Sequence, residues 1–387
     1  MFRISRIQAL MKPIARGAFD RLVREHDADK HVKRFRAWDQ LTAMVYAQLS
    51  GVRSLRELQA GFNAQRSHHY HLGTAEVRRS TLAEANAQRS PELFAQLARS
   101  LMAQAQRSLR RECRELLYLL DSSSITLKGR GFDDWTLGKR TRNTQGVKLH
   151  LVLEAHSQAP CWSSITAPNV NDRDEGVRVP IEAGATYVFD KGYCDHHWWG
   201  QIHAAGARFV TRYKRNAALT VLRERPVAEG GVILRDQVVR LTHRPAKGAK
   251  RNGGTTELRR IEVARPGESA LVLATNDLNA PPEQIARLYK DRWQIELYFK
   301  WIKQHLNIGC FLGRSENAVR VQILTALISY LLLKLYRQAH GLSTTTWHLL
   351  AELRATLFQR PALEVAAYHR RRQRQLALAA LQPGLFA

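Results

Sequence analysis

Leu116-Leu-Tyr-Leu-Leu-Asp121 sets the fold class of this chain. Five apolar residues before a carboxylate are too few for a helix and fit a buried strand. Ala185-Thr-Tyr-Val-Phe-Asp190 repeats the form. A carboxylate at the end of a buried strand is held on a rigid frame at the sheet's rim, where binding and catalytic groups gather. Around these two runs, Lys148 to Glu154 alternates apolar and polar residues, and Trp162 to Thr166 is rich in strand formers. His196 to Ala205 reads as a helix and Arg208 to Tyr213 as a further strand. The centre of the chain is therefore expected to be a sheet with helices against it.

Downstream, residues 215 to 280 read as strands and turns only. Val232 to Leu234, Gln237 to Leu241, Leu258 to Val263 and Ala270 to Ala274 are separated by Gly230-Gly231, Pro245 to Gly248 and Asn252 to Gly254. Pro281-Pro282 then opens a long helix expected from Glu283 to about Asn307, since proline suits the first helical turn. The remainder reads as helical and carries the basic cluster His369 to Arg374. Upstream, residues 1 to 112 also read as helical. Leu41, Met44, Val45 and Leu49 recur at helical spacing until Ser50-Gly51 stops them, and Ser54 to Glu57 and Thr81 to Glu84 fit capping boxes. Two short helices around that Gly turn have the pattern of a helix-turn-helix.

Charge narrows the function. The chain has 387 residues, with 60 Lys and Arg against 34 Asp and Glu, a formal charge of +26. So large an excess points to a polyanion, nucleic acid first. A membrane fits poorly: the longest apolar stretch, Val321 to Leu333, contains Gln322, Thr325 and Ser329, and spanning takes about 20 apolar residues. The N-terminus shows no signal-peptide pattern. Cys113, Cys161, Cys194 and Cys310 form no CxxC pair, which argues against a disulfide framework or a zinc ribbon. A cytoplasmic, nucleoid-associated protein is expected.

The long helix supplies the chemistry. Tyr289, Arg292, Glu296 and Lys303 follow at intervals of 3, 4 and 7 residues, which places them on one narrow stripe of a regular helix. Leu288, Ile295, Phe299, Ile302 and Leu306 form the apolar stripe beside it. Three carboxylates, Asp121, Asp190 and Glu296, could bind two hard cations through oxygen. A metal pair of that kind activates a hydroxyl and stabilises the leaving oxygen of a phosphodiester. Arg292 and Lys303 are suited to hold neighbouring phosphates.

The run Tyr289-x2-Arg292-x3-Glu296-x6-Lys303 resembles the signature of the insertion-sequence 4 family of DDE transposases. Asp121-Ser-Ser-Ser-Ile-Thr is similar to that family's first-aspartate motif and Asp190-Lys-Gly-Tyr-x-Asp195 to its second, while Arg79 to Asn86 looks like its N-terminal region. The resemblance implies an α/β multidomain protein whose RNase H-like catalytic core carries a β-rich insertion and follows a helical N-terminal domain. The boundaries expected are 1–112 for the helical DNA-binding domain, 113–214 and 281–340 for the two parts of the core, 215–280 for the insertion and 341–387 for a basic helical tail. It further implies that Asp121, Asp190 and Glu296 are catalytic metal ligands for Mg²⁺, two ions with Mn²⁺ as a substitute. Tyr289, Arg292 and Lys303 become DNA contacts. The partners implied are transposon terminal inverted repeats and target DNA, engaged by a homodimer, with no membrane. Family members with hairpin chemistry place a base-stacking tryptophan in the insertion; here no Trp occurs between Trp199 and Trp293, and Tyr213 is the aromatic at hand. The alternatives are an RNase H-like nuclease without strand transfer and a non-catalytic DNA-binding regulator.

Other chemistry-bearing residues read as structural. Asp195 is expected to hydrogen-bond locally, and His68, His69, His71, His196 and His197 lack metal-ligand spacing. Ser122, Ser123 and Ser124 show no nucleophile pattern. Lys139 to Arg142 reads as a solvated basic face.

Overall fold

The computed structural model describes residues 4–109, 115–242, 257–359 and Gln373. The basic cluster at 369–374, apart from Gln373, the turns around Pro245 and Gly253, and Cys113 lie outside the described residues. The described residues divide into two compact units: those within 1–101, 305–313 and 317–359 form one, and those within 102–304 and 314–316 the other.

The first unit is helical. Its elements are α1 (Arg6–Met11), α2 (Arg16–Glu25), α3 (Ala37–Ser50), α4 (Leu55–Asn63), α5 (His69–Leu72), α6 (Arg79–Gln88) and most of α7 (Glu92–Leu109). Helix α3 is buried from Ala37 through Leu49 and forms the centre of the unit. It ends where Gly51 takes φ 75°, a left-handed conformation that glycine adopts without steric cost. Ser54 caps α4 by accepting the Glu57 N–H, while the Glu57 carboxylate accepts from Arg53 N–H instead of closing the box on Ser54. Thr81 to Glu84 is not a cap, because α6 begins at Arg79 and Thr81 lies inside it. Of the expected helix-turn-helix pair, α3 is a core helix, and only α4, with Leu58 and Phe62 inward, leaves a surface open.

Among the described residues, the second unit is built on one nine-stranded sheet in the order β3-β2-β1-β4-β5-β9-β8-β7-β6. The strands are β1 (Leu117–Thr126), β2 (Gly146–Glu154), β3 (Ala159–Thr166), β4 (Thr186–Phe189), β5 (Arg208–Arg212), β6 (Leu219–Arg225), β7 (Ile233–Leu241), β8 (Leu258–Val263) and β9 (Leu271–Thr275). Three of them, β1, β4 and β5, run parallel, and β2 and β3 return antiparallel. This is the RNase H-like core. Short helices α8 (Asp133–Thr136) and α9 (Asp172–Gly176) and the longer α10 (His196–Ala204) fill the connections. Trp198, Tyr187, Tyr193, Phe189 and Phe209 pack one aromatic core.

Three expectations change here. Strand β1 does not stop at Asp121 but continues to Thr126, because β2 pairs with it along its whole length. Gly146, where β2 begins, has no room for a side chain: an added Cβ would lie 2.1 Å from the Ile125 carbonyl oxygen. Residues 215–280 are strand and turn among the described residues, yet they continue the core sheet, since β9 pairs antiparallel with β5. That stretch also contains β6, whose mostly exposed residues gave no burial alternation to read, and β7 merges two segments that read as separate.

The long helix is two, α11 (Pro282–Asp291) and α12 (Trp293–His305). At Arg292 the bonding tightens to i→i+3, with Arg292 N–H on Tyr289 carbonyl and Ile295 N–H on Arg292 carbonyl. Helices α13 (Glu316–Ala339) and α14 (Thr346–Thr356) follow. Residues 281–340 were expected to stay with the core, but from Asn317 onward α13 groups with the N-terminal helices. Its residues are buried almost continuously from Ala318 to Tyr336, so it needs neighbours on every side, and the Gln48 amide donates to the Gln322 carbonyl. By length and apolarity α13 could cross a membrane, but 94% of its apolar window is buried in the protein.

Candidate active site

Parallel pairing brings the two aspartates together. Leu120 of β1 is in register with Phe189 of β4, so the next residues, Asp121 and Asp190, stand side by side at the spacing of neighbouring strands, about 4.8 Å. Strand β4 ends at Phe189, so β1 has no partner on that side beyond Leu120, and Asp121 borders the gap. An aspartate in mid-strand thus still occupies a rim position, at the carboxyl ends of parallel strands.

Helix α12 brings the third carboxylate. Arg292 donates from Nη1 to Asp121 Oδ2 at 3.1 Å and from Nη2 to Glu296 Oε1 at 2.6 Å. One guanidinium therefore holds both acids, and Arg292 points into the carboxylates rather than outward. A second arginine, Arg212 at the end of β5, donates to Asp190 Oδ1 at 2.7 Å. The Tyr289 ring, 9% exposed, lies 6.0 Å from the Arg212 guanidinium carbon and 5.8 Å from that of Arg292. Cation–π attraction at such distances fixes both arginines around one ring. Lys303 donates to the Ser124 carbonyl at 3.0 Å, so the four signature residues and both aspartates surround one end of β1.

The electrostatics separate the two aspartates. Burial, with added repulsion from Glu296 and Asp190, pushes the Asp121 carboxyl up to about 6 against the Ser122 N–H and Arg292. Asp190 is held below the usual carboxylate range: burial opposes this, but the Arg212 bond, the Lys191 N–H and both guanidinium charges outweigh it. At Asp121 burial outweighs the positive charge of Arg292, and at Asp190 the two arginines outweigh burial.

Among the described residues no three His, Cys, Asp or Glu side chains close tightly enough to enclose an ion. Arg292 occupies the space between Asp121 and Glu296, a positive charge where a cation would stand. The donor set fits a hard divalent ion, being carboxylate oxygen throughout.

The remaining candidates have local partners. Asp195 caps α10 by accepting the Trp198 N–H. His69 is buried, stacks on Phe62 and bonds the Phe62 carbonyl. Tyr213 is packed edge-on against Trp199 in the core and does not project. Ser122 donates its hydroxyl directly to Asp172, and His150 bonds Thr166 and Tyr193, so no histidine stands between serine and carboxylate as a nucleophile would require. Two residues of the site escaped the sequence reading, Arg212 and Asp172. Arg212 ends a strand-like run without marking itself. Asp172 belongs to the acidic cluster Asn171-Asp172-Arg-Asp-Glu175, whose proximity to β1 only the fold reveals.

Comparison with known proteins shows the family and the fold. The family model described as Transposase DDE domain matches residues 112–332, and a domain of unknown function, DUF4372, matches residues 3–75. A Sinorhizobium fredii protein named as a transposase, y4zB, is 44% identical over 258 residues, 66% of this chain and 70% of the relative. A Geobacillus stearothermophilus protein, named as the transposase of insertion sequence element IS5377, is 28% identical over 57% of each chain. Among solved structures, the piggyBac transposase synaptic complex with hairpin DNA shares the fold at TM-score 0.51 and 9% identity, covering 92% of this chain and 80% of its own.

Proposed function

Because the chain belongs to the DDE transposase family, we propose that it cuts DNA at transposon terminal inverted repeats and joins the freed 3′-hydroxyl ends to target DNA, with Asp121, Asp190 and Glu296 as its catalytic carboxylates. The observation that carries the assignment of residues is the Arg292 guanidinium bonded to Asp121 and Glu296 beside the strand pair that sets Asp190.

Dependence on a divalent metal follows from the family; Mg²⁺, as two ions that Mn²⁺ can replace, is the form proposed here. The ions would be held by Asp121, Asp190 and Glu296, and when bound they supply an activated oxygen nucleophile and charge stabilisation at the leaving oxygen. The protein's own residues do the rest. Strand pairing fixes the two aspartates on a rigid frame. Arg292, once drawn off the carboxylates, reaches a phosphate adjacent to the scissile one, where a guanidinium matches two phosphate oxygens. Lys303 adds a point charge from α12, and Tyr289 keeps Arg212 and Arg292 from swinging freely. DNA is the partner of the enzyme. A homodimer assembled on paired ends, acting at the nucleoid, is the proposed working form.

The decisive experiment incubates the protein with a linear DNA end and target DNA in Mg²⁺. Nicked ends and joined products are expected, both lost in Glu296→Gln. Nicks without joined products would reduce the protein to a nuclease, and unchanged nicking by Glu296→Gln would remove Glu296 from the site.

A further inference from the structure

Behind β1, on the sheet face opposite Arg292, lies a polar cluster that the chemistry above does not use. Asp172, at the start of α9, accepts the Ser122 hydroxyl at 2.9 Å and the Lys148 ammonium at 3.1 Å, both on Oδ1. His150 approaches the same oxygen at 3.6 Å, and Lys148 also donates to the Val170 carbonyl at 2.9 Å. Ser122, Lys148 and His150 come from the paired strands β1 and β2, with Ser122 opposite His150. Helix α9 also packs on the turn Lys191–Tyr193 that directly follows Asp190. Asp172 Oδ2 lies against Gly192, at 3.4 Å from where a Cβ would stand, and the Tyr193 hydroxyl reaches His150 at 3.3 Å.

We propose that Asp172 is a positioning residue that ties the segment after Asp121 to the segment after Asp190, and so sets the separation of the two aspartates. Ser122 is the neighbour of Asp121 in sequence and points to the other face of the strand. Its hydroxyl bond therefore fixes the strand's rotation, and with it the direction of the Asp121 carboxylate. The turn against Asp172 fixes where Asp190 leaves β4. An ion shared by two carboxylates tolerates little change in their spacing, and groups that orient metal ligands from behind typically matter by 10–100-fold in affinity or activity. Burial with Lys148 close by also holds His150 neutral, so it stays a hydrogen-bonding spacer in the cluster.

This inference rests on the assignment of Asp121 and Asp190 as ion ligands. Its test is Mn²⁺ binding to the full-length protein without DNA, read by electron paramagnetic resonance, together with nicking of a linear end and thermal melting. Asp121→Asn should abolish tight Mn²⁺ binding; if it does not, the ligand assignment itself fails. With that control in place, Ser122→Ala and Asp172→Ala should weaken Mn²⁺ by at least about tenfold and slow nicking comparably, with DNA-end affinity unchanged. Ser122→Thr, which keeps the hydroxyl, should retain wild-type Mn²⁺ affinity. Wild-type Mn²⁺ affinity in the two alanine variants would overturn the proposal, as would equal loss in Ser122→Ala and Ser122→Thr. If Asp172→Ala does not fold, Ser122→Ala, which deletes one hydroxyl, decides alone.

Discussion

Arg292 makes a prediction opposite in sign to the usual effect of mutating an active-site residue. Arg292→Gln removes a guanidinium that bonds Asp121 at 3.1 Å and Glu296 at 2.6 Å, with only 16% of its side chain exposed. Charge-assisted bonds of this kind are worth about 1.5–3 kcal/mol each when buried. Partial exposure of the acids softens the loss, leaving about 2–3 kcal/mol for the metal-free protein. Melting of the sheet unit should then fall by about 4–12 °C. The same bonds oppose ion binding in the wild type, since the guanidinium must leave before a cation enters. Without it, Mn²⁺ should bind more tightly by up to about 2 kcal/mol, close to 30-fold, while DNA cleavage falls because the phosphate contact is gone. The assay pairs Mn²⁺ titration by calorimetry with melting curves across the same concentrations. Added Mn²⁺ should raise the melting temperature of the variant more than that of the wild type. Weaker or equal Mn²⁺ binding in Arg292→Gln would refute the idea that Arg292 stands in the place of the cation.

Glu296→Gln should lower cleavage by at least about a hundredfold, the scale of one lost transition-state electrostatic contact, with DNA-end affinity measured by gel shift nearly unchanged. Lys303→Ala should weaken DNA binding and flatten the log–log salt slope by about 0.9, the contribution of one neutralised phosphate; an unchanged slope would leave Lys303 off the backbone. His150 is fully buried, and burial depresses it from its ordinary value to about 4. The unfolded chain thus takes up a proton on this group near pH 6.5 that the folded chain refuses. Its contribution is complete above that pH and falls as pH drops toward 4, by at most about 1.4 kcal/mol per unit; melting at pH 5 and 7 should differ less in His150→Gln than in wild type. Arg259 and Asp236 form a fully buried bidentate pair, so Arg259→Met should cost about 3 kcal/mol by leaving the acid only the longer 3.4 Å pair with Arg225, read as a lowered urea midpoint.

What the sequence made legible divides along the range of the interactions. Strands β1 and β4 were readable because both are buried on two faces and present unbroken apolar runs. The signature residues were readable because one helical region fixes their relative placement, and the tightened turn at Arg292 did not disturb the Arg292–Glu296 pair. Arg212 was not readable, since its role exists only because β5 lies parallel to β4 and ends beside Asp190. Asp172 was hidden for the same reason: its partners are 24 and 50 residues away in the chain. Strand β6 was hidden by exposure, which erases the alternation that marks a strand. The grouping of α13 could not be read either, because a helix buried on all sides does not specify its neighbours.

The pairing of β9 with β5 has a consequence for how the protein comes to be made. Val210 pairs with Thr275, so this edge of the core cannot close until the whole meander of β6 to β8 between them has been synthesised. Long-range strand pairings of this kind form late, after the entropy of closing the intervening chain has been met. Glu296 follows β9 and α11 in the chain, so the third carboxylate is also the last to emerge from the ribosome. A chain that stops short of α12 contains the β1 and β4 segments that pair beside Asp121 and Asp190 but not Glu296. On the proposed assignment, the order of synthesis leaves the carboxylate set incomplete until the chain has been made past residue 296.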